Sequence, residues 1–323
     1  MTLSKLAKLA NVSISVVSKA FSGRDDVSDS MREHVFAVAR ANGCFEQFYH
    51  APYDKPVVAL ILPEIISNHY VRYLEALKKS LEECGYTLLL SISNFDADME
   101  RELIRYYTES AKVDAIITFR APTVPPPAKT VCIILSGKSN DYGTHICRDL
   151  HTGVCEALDR LSALGHKKIA FVGEMLATGQ GALLRELCRE RDILLTDDCF
   201  IVARSRFERA GREGADRLCA LKEKPSAVFC AYGYIAVGLL DALREQGVSV
   251  PDDISVISMD NCANPFPPEG SVACIPSIAE AHCREAIAML NEQLASGDRS
   301  ARTVRIPTFF VDGATLARAR ENA

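Results

Sequence analysis

Two different rhythms of apolar residues divide the chain. Over residues 2–44 (TLSKLAKLANVSISVVSKAFSGRDDVSDSMREHVFAVARANGC) apolar positions recur three and four apart in three short stretches separated by polar turns. That spacing predicts three short amphipathic helices. Ser4 is placed to cap the first, with Leu6, Ala7, Leu9 and Ala10 on one face. Asn11 or Val12 ends it, asparagine being tolerated in the left-handed conformation that a tight turn requires. Ser13 caps a second helix, SISVVSKAF, with Val17, Ala20 and Phe21 turned inward and the small Ala7 where the two helices cross. Ser28 caps the third; Met31, Val35, Val38 and Ala39 close the core, and Gly43 stops it.

From residue 57 the runs become continuous. VVALILP reads as a strand, residues 69–84 as an amphipathic helix, YTLLLSIS as a strand, residues 98–111 as a helix, and VDAIITF and, after a proline-rich connection, TVCIILS as strands. The alternation resumes with a helix at 151–164, KKIAFVGE, a helix near 180–191, FIVARS, a helix near 207–221, SAVFCA, a helix at 234–246 and ISVISMD. A helix at 277–295 and strands at 303–311 complete two similar halves. Continuous apolar strands separated by helices predict parallel sheets covered on both faces. The expected fold is an N-terminal all-α helix-turn-helix headpiece followed by an α/β body of two doubly wound parallel-sheet subdomains.

Composition narrows this picture. With 323 residues, 48% hydrophobic and 24% charged, the chain is long enough for two or three domains with real cores. The net charge of −5 excludes a general polyanion binder, so any nucleic-acid contact must be local. Residues 1–44 hold six cations (Lys5, Lys8, Lys19, Arg24, Arg32, Arg40) against four anions (Asp25, Asp26, Asp29, Glu33), a net charge of only +2. The 12 cysteines contain no CxxC, and several sit in apolar runs, so they read as small buried hydrophobes of a reducing cytoplasm. There is no charged-then-apolar leader and no membrane-length apolar run, so a cytoplasmic protein without a membrane partner is expected.

In a helix-turn-helix unit the second helix enters the major groove. Its outward set here is Ile14, Ser15, Ser18 and Lys19, with Val16 at the edge. Ile14 suits a thymine methyl, Ser15 either donates or accepts, and Lys19 suits a guanine edge or a phosphate. Periodicity alone does not separate this reading from an ordinary three-helix bundle with a solvated face.

The run AKLANVSISVVSKAFSG…VSDSMREHVFAVARANG resembles the headpiece of lactose-repressor/GalR-type (LacI/GalR) regulators at Ala7, Ala10, Val12, Ser13, Val17, Ser18, Val27, Ser28, Arg32 and Val35. The resemblance implies base-reading positions at Ile14 and Ser15. It puts Lys19 where the family carries a base-contacting arginine, and Thr2, Ser18 and Ser28 on the phosphate side; Ser13 and Val16 complete the DNA-contact set. Val16 stands for the usual threonine and Lys19 lacks the arginine fork, which implies altered reading. In the family a hinge helix follows, whose leucine wedges into the minor groove. Here CFEQFYHAPYDKPVVALILP lacks that pattern, and Pro52 and Pro56 would interrupt a helix. Phe45, Phe48, Tyr49 and Tyr53 are expected to pack on the body, the alternative being a minor-groove wedge.

The resemblance continues through HTGVCEALDRLSALGHKKIAFVGE, PSAVFCAYGYIAVGLLDALREQGVSVPDDISVISMDN and VRIPTFFVDGATLAR. It implies a periplasmic-binding-protein-like body whose chain crosses between subdomains near 151, 276 and 306. The implied parts are a headpiece at 1–45, an atypical linker at 46–56, an N-terminal subdomain at 57–151 and 276–305, and a C-terminal subdomain at 152–275 and 306–323.

Ligands of doubly wound halves bind at the carboxyl ends of strands. That rule nominates Ser67, His69 and Tyr70, then Phe119 and Arg120, Arg148 and Asp149, Tyr232, Gly233 and Tyr234, and Asp260 and Asn261. For each polar member the bland reading is loop solvation or helix capping. By resemblance Asp149 and Asp260 fall on acidic positions of sugar-binding relatives, while Gln180 takes the slot of their arginine and Tyr232-Gly233 that of their Asn-Asp. The hydroxyl clamp is thus partly dismantled, and Tyr232, Tyr234 and Phe119 suit a flatter molecule.

Three functions are compatible with these features. The first is a homodimeric DNA-binding transcriptional regulator on a pseudo-palindromic operator, controlled by a small-molecule effector. The second is a ligand sensor with weakened DNA binding. The third, an enzyme, lacks GxSxG, a P-loop, GxGxxG after a strand and metal-spaced His/Cys sets. GEMLATGQG follows a strand but lacks the Lys-Ser/Thr ending of a phosphate cradle and reads as a plain loop. No cofactor or metal is expected.

Overall fold

A computed structural model describes residues 1–22, 26–49, 55–127, 129–135, 142–260 and 271–320. It divides into two compact units, Met1–Pro56 and Val57–Ala323.

The first unit holds α1 (Leu3–Leu9), α2 (Ile14–Phe21), α3 (Asp29–Ala41) and a short α4 (Phe45–Phe48). Ser13 and Ser28 cap α2 and α3 as the pattern predicts, their hydroxyls accepting from the Val16 and Met31 amides at 3.2 and 3.3 Å. The cap of α1 is Thr2 rather than Ser4, its hydroxyl accepting from the Lys5 amide at 3.3 Å. Asn11 takes the left-handed turn (φ 51°) and Gly43 the same region (φ 62°). Leu6, Ala7, Val17, Ala20, Val35 and Ala39 fill the core. Met31, expected inside, is exposed, and Phe36 is buried in its stead. The choice follows from size, because Phe36 reaches Phe21 at 5.0 Å between ring centres and opens an aromatic cluster that α4 completes.

That cluster replaces the expected linker packing. Phe45, Phe48 and Tyr49, expected on the body, pack instead on the headpiece: Phe45 stands edge-on to Phe36 (5.2 Å), Phe48 meets Phe21 (5.7 Å) and Tyr49 stacks on Phe45 (4.5 Å). Arg40 covers the outer face of Phe45 at 4.4 Å, and the Gln47 side-chain amide donates to the Met1 carbonyl at 2.8 Å. Pro52 and Tyr53 lie outside the described residues.

The second unit builds two sheets. The first lobe carries β1 (Val57–Leu62), α5 (Asn68–Glu83), β2 (Thr87–Ile92), α6 (Ala97–Arg105), β3 (Ala115–Thr118), β4 (Val131–Ile134) and β5 (Thr144–Asp149). The chain then passes through α7 (Leu150–Ala163) into the second lobe: β6 (Ile169–Glu174), α8 (Thr178–Arg189), β7 (Phe200–Ala203), α9 (Glu208–Ala220), β8 (Ala227–Cys230), α10 (Gly233–Glu245), β9 (Ser255–Ser258) and β10 (Ala273–Cys274). It returns through α11 (Ala279–Ser296) to β11 (Thr303–Pro307) of the first sheet. The strand orders are β11-β5-β4-β3-β1-β2 and β10-β9-β8-β6-β7, every ladder parallel.

Alternation along β1 explains why its run is apolar throughout. Val58, Leu60 and Leu62 face a cluster with Tyr73, Leu77 and Leu81 of α5 and Cys283, Ala286 and Leu290 of α11. Ala59 and Ile61 face the opposite side, toward Ile104 and Tyr107. The second lobe has one core spanning α7 to β10. After β11 the chain runs back along the second sheet: Val311 bridges Cys274, the Thr315 hydroxyl donates to the Val256 carbonyl at 2.6 Å, and His166 Nε2 meets the Ala317 carbonyl at 2.9 Å.

Three segments depart from the pattern. THICRD forms β5, a buried central strand with too many polar letters to read as one. Thr144 and His145 are buried, the Thr144 hydroxyl accepting from Gln293 Nε2 at 3.2 Å and the His145 amide donating to the Arg302 carbonyl at 2.7 Å. The helix read at 98–111 changes to a π-helical turn over Tyr106–Ser110. The stretch after Glu174, read as a plain loop, is a 3₁₀ turn at Met175–Ala177 leading into α8. Most of the cysteines among the described residues are buried.

Helices α9 and α10 cross closely at two glycines. A Cβ on Gly238 would sit 1.9 Å from the Glu208 carbonyl oxygen, and one on Gly211 2.1 Å from that of Ile235. Backbone cannot yield as a side chain can. Gly238→Ala therefore costs about 3 kcal/mol or more in chemical unfolding, by forced separation of the helices. Gly179→Ala, which meets open space, changes stability by less than about 0.5 kcal/mol.

Candidate functional site

Two sites arise from this architecture, one in each unit. On the headpiece, capping by Ser13 starts α2 so that its first turn projects outward. Ile14 is 51% exposed, Ser15 and Ser18 are exposed, Val16 is half-buried, and Val17 and Ala20 hold the inner face. The ridge expected from the pattern is present as a surface. Lys19 differs from expectation: its ammonium pairs with the Asp26 carboxylate instead of standing free. The hydroxyls of Thr2, Ser13 and Ser28 serve as helix caps, so their acceptor side is engaged.

In the body, the strand-end residues meet in the cleft between the lobes. His69 Nδ1 of the first lobe lies 3.6 Å from Asp260 Oδ2 of the second, which is 8% exposed. Tyr70 stands edge-on to Phe119 at 5.1 Å, with Tyr73 edge-on to the same ring at 4.9 Å. Tyr232 and Tyr234 lie 5.2 Å apart on the opposite wall. Burial first, then the Glu64 carboxylate, pushes the Tyr70 hydroxyl above the usual phenol range. Burial does the same to Tyr232, helped by Tyr70, and to Tyr234, helped by Glu174. These phenols therefore stay protonated and can donate.

Other nominated residues have local duties. Arg148 Nη2 donates across the cleft to the Met259 and Ile275 carbonyls at 2.8 and 3.2 Å. Asp149 caps α7, accepting from the His151 amide at 3.0 Å. Arg120 pairs with the buried Glu100 at 3.8 Å and lines a groove of about 330 Å³ between α6 and the proline-rich 122–127 segment. Gln180 is half-buried in the first turn of α8, and Ser67 is buried ahead of α5. Gly233, the first residue of α10, is buried, and Asn261 lies outside the described residues.

The strand-end rule missed Glu64, Tyr73, Phe95, Glu174, Arg206 and Phe207. Glu64 and Glu174 stand at the ends of VVALILP and KKIAFVGE and carried the same positional signal as the residues chosen. Among the described residues, no cluster of three or more His, Cys, Asp or Glu is arranged to hold a metal ion. None of the described helices is long and apolar enough to cross a membrane.

Comparison with known proteins agrees with this architecture. Residues 158–316 match the family model of the periplasmic binding protein-like domain. The HTH-type transcriptional regulator DegA of Bacillus subtilis (strain 168) is 25% identical over 277 residues, covering 80% of this chain and 81% of DegA. The lac repressor dimer bound to operator and the anti-inducer ONPF superposes with a TM-score of 0.71 at 18% identity, covering 98% of this chain and 99% of that one. The transcriptional regulator CelR in complex with cellobiose gives 0.67 at 20% identity, covering 98% and 100%. A helix-turn-helix headpiece on a two-lobed periplasmic-binding-protein-like body defines a class of DNA-binding regulators. Within that class, the proteins this chain is similar to over most of its length are regulators of the LacI/GalR type.

Behind the aromatic wall, Tyr73 Oη meets His282 Nδ1 at 2.7 Å, and burial lowers His282 from its ordinary value near 6.5 to about 4. A histidine held neutral in the fold contributes stability that is complete above about pH 6.5 and is lost as pH falls toward 4. Urea unfolding should therefore show about 2 kcal/mol less stability at pH 5 than at pH 7. His282→Gln removes most of that difference; an unchanged pH slope in the variant would contradict the assignment.

Proposed function

We propose that this chain is a sequence-specific DNA-binding transcriptional regulator. The α2 ridge enters the major groove, where Ile14, Ser15 and Lys19 read bases, and Thr2, Ser13, Val16, Ser18 and Ser28 contact the neighbouring groove wall and phosphates. The observation that carries the reading is the exposure of Ile14, an apolar residue held at the outer first turn of a capped helix whose other face is fully packed. The working form is a homodimer on a pseudo-palindromic operator in the cytoplasm. In support, edge strand β2 leaves Leu89 and Leu90 exposed at 36% and 43%, an uncovered apolar edge of the kind a partner subunit covers. Among solved structures similar to this chain, the lac repressor is bound to operator and CelR to cellobiose. The relatives are regulators, and the cleft of this chain is a binding site rather than a catalytic one.

The cleft favours a flat effector. Tyr70, Phe119, Tyr232 and Tyr234 wall it, Tyr73 backs Phe119, and His69 and Asp260 form a polar pair between the lobes. Asp149 and Arg148 are engaged by backbone, so a polyhydroxylated sugar finds a reduced clamp. A second reading, a sensor with weakened DNA affinity, draws on the Lys19–Asp26 pair and the small headpiece charge.

Selection of the full chain against a random DNA pool decides between the two. The regulator enriches one two-fold-related sequence whose binding survives competitor DNA; no enrichment at any salt concentration rejects it. Lys19→Ala weakens the selected site by roughly 10- to 100-fold while changing random DNA far less, matching the ~1–3 kcal/mol of a base contact. Equal losses on both would reduce Lys19 to a phosphate contact.

A further inference from the structure

The cleft holds a second constellation, of which the effector reading uses Tyr234 alone. Glu64, two residues past β1, and Glu174, the last residue of β6, are 5% and 1% exposed and come from different lobes. Arg206 lies between them. Its Nη1 and Nη2 donate to the two Glu64 oxygens at 3.0 Å each, and its Nε donates to Glu174 Oε1 at 3.4 Å. The guanidinium carbon is 5.6 Å from the ring centre of Phe95 in the first lobe and 4.6 Å from that of Phe207 in the second. Tyr234 Oη donates to Glu174 at 3.3 Å and closes the second-lobe side.

The backbone is shaped for this arrangement. Phe207 sits at φ 59° and ψ −144°, a region a side-chain-bearing residue occupies only when neighbours hold it there. Its amide donates to Glu174 Oε2 at 3.2 Å, so the carboxylate that receives Arg206 also holds the bend beside it.

Two buried carboxylates and two aromatic rings around one planar cation form a recognition site for guanidinium. We propose that the body contains a guanidinium seat shared by both lobes and filled by the chain's own Arg206, a tethered ligand that closes the cleft without any small molecule. The compounds that compete for the seat are planar cations of the guanidinium or amidinium class. Two carboxylates face one cation, so the seat keeps a negative bias that repels anionic competitors. A tethered group is present at an effective concentration of millimolar or above, so a free cation enters readily only when Arg206 is gone. The proposal adds to the reading of the cleft as the effector site, and its test reads lobe closure without DNA.

The test is small-angle scattering and calorimetry on the full chain. Arg206→Ala should raise the radius of gyration, and millimolar methylguanidinium should return it to the wild-type value. Methylammonium, with equal charge and no planar fork, should bind at least about tenfold more weakly and leave the variant open. Wild type should respond to neither compound. A variant with the wild-type radius, or one equally indifferent to both cations, overturns the proposal. Should Arg206→Ala fail to fold, Glu64→Gln keeps the shape and removes one charge; a rise in radius supports the seat and an unchanged radius refutes it. Failure of the operator selection would count against the regulator and leave the scattering result standing.

Discussion

Parallel pairing of every ladder in both sheets is the constraint on which the body depends. A parallel sheet must be covered on both faces, so its strands carry apolar residues on both sides and have no room for chemistry. Polar side chains are driven to the carboxyl ends, and in a parallel sheet those ends share one edge. Glu64 after β1, Glu174 at the end of β6, Arg206 after β7, Tyr232 after β8 and Asp260 after β9 are the result. The two lobes present these edges to each other, which is how Arg206 reaches Glu64 and His69 reaches Asp260.

The headpiece obeys a different constraint. A unit this small has few residues to bury, and side-chain size decides which of them do it. Phe21 and Phe36 draw in Phe45, Phe48 and Tyr49, extending the core beyond the three helices. The hinge pattern of the family resemblance is missing from this stretch, and its aromatic residues, expected on the body, are committed to the headpiece core instead.

Periodicity made most of this legible. The helix–strand alternation, two of the three headpiece caps and the outward ridge of α2 were all readable, because each rests on local spacing. The fold class needed only the continuous apolar runs. The features that stayed hidden required partners distant in sequence. THICRD reads as polar until Gln293 and Arg302 are beside it. Phe36 displaces Met31 from the core because Phe21 and Phe45 are near. Lys19 looks free until Asp26 folds back on it. The cleft was half-readable: the strand-end rule found the aromatic wall and the His69–Asp260 pair. It passed over Glu64 and Glu174, whose importance depends on a second-lobe arginine placed between them next to an unusual backbone at Phe207.

Helix capping in the headpiece has a consequence for how DNA contact and folding are connected. A serine hydroxyl has two lone pairs and one proton. At Ser13 and Ser28 a lone pair is taken by the amide that starts the helix; the Ser13 proton is left for a partner outside the chain, whereas the Ser28 hydroxyl also meets Ser30 Oγ at 3.2 Å. One oxygen atom thereby serves the fold with its acceptor half and offers a phosphate its donor half. The halves are chemically separable: an aspartate keeps the first function and repels the anion, whereas an alanine forfeits both. On the proposed reading, stability and DNA affinity at Ser13 are thus two properties of one atom that substitution can pull apart.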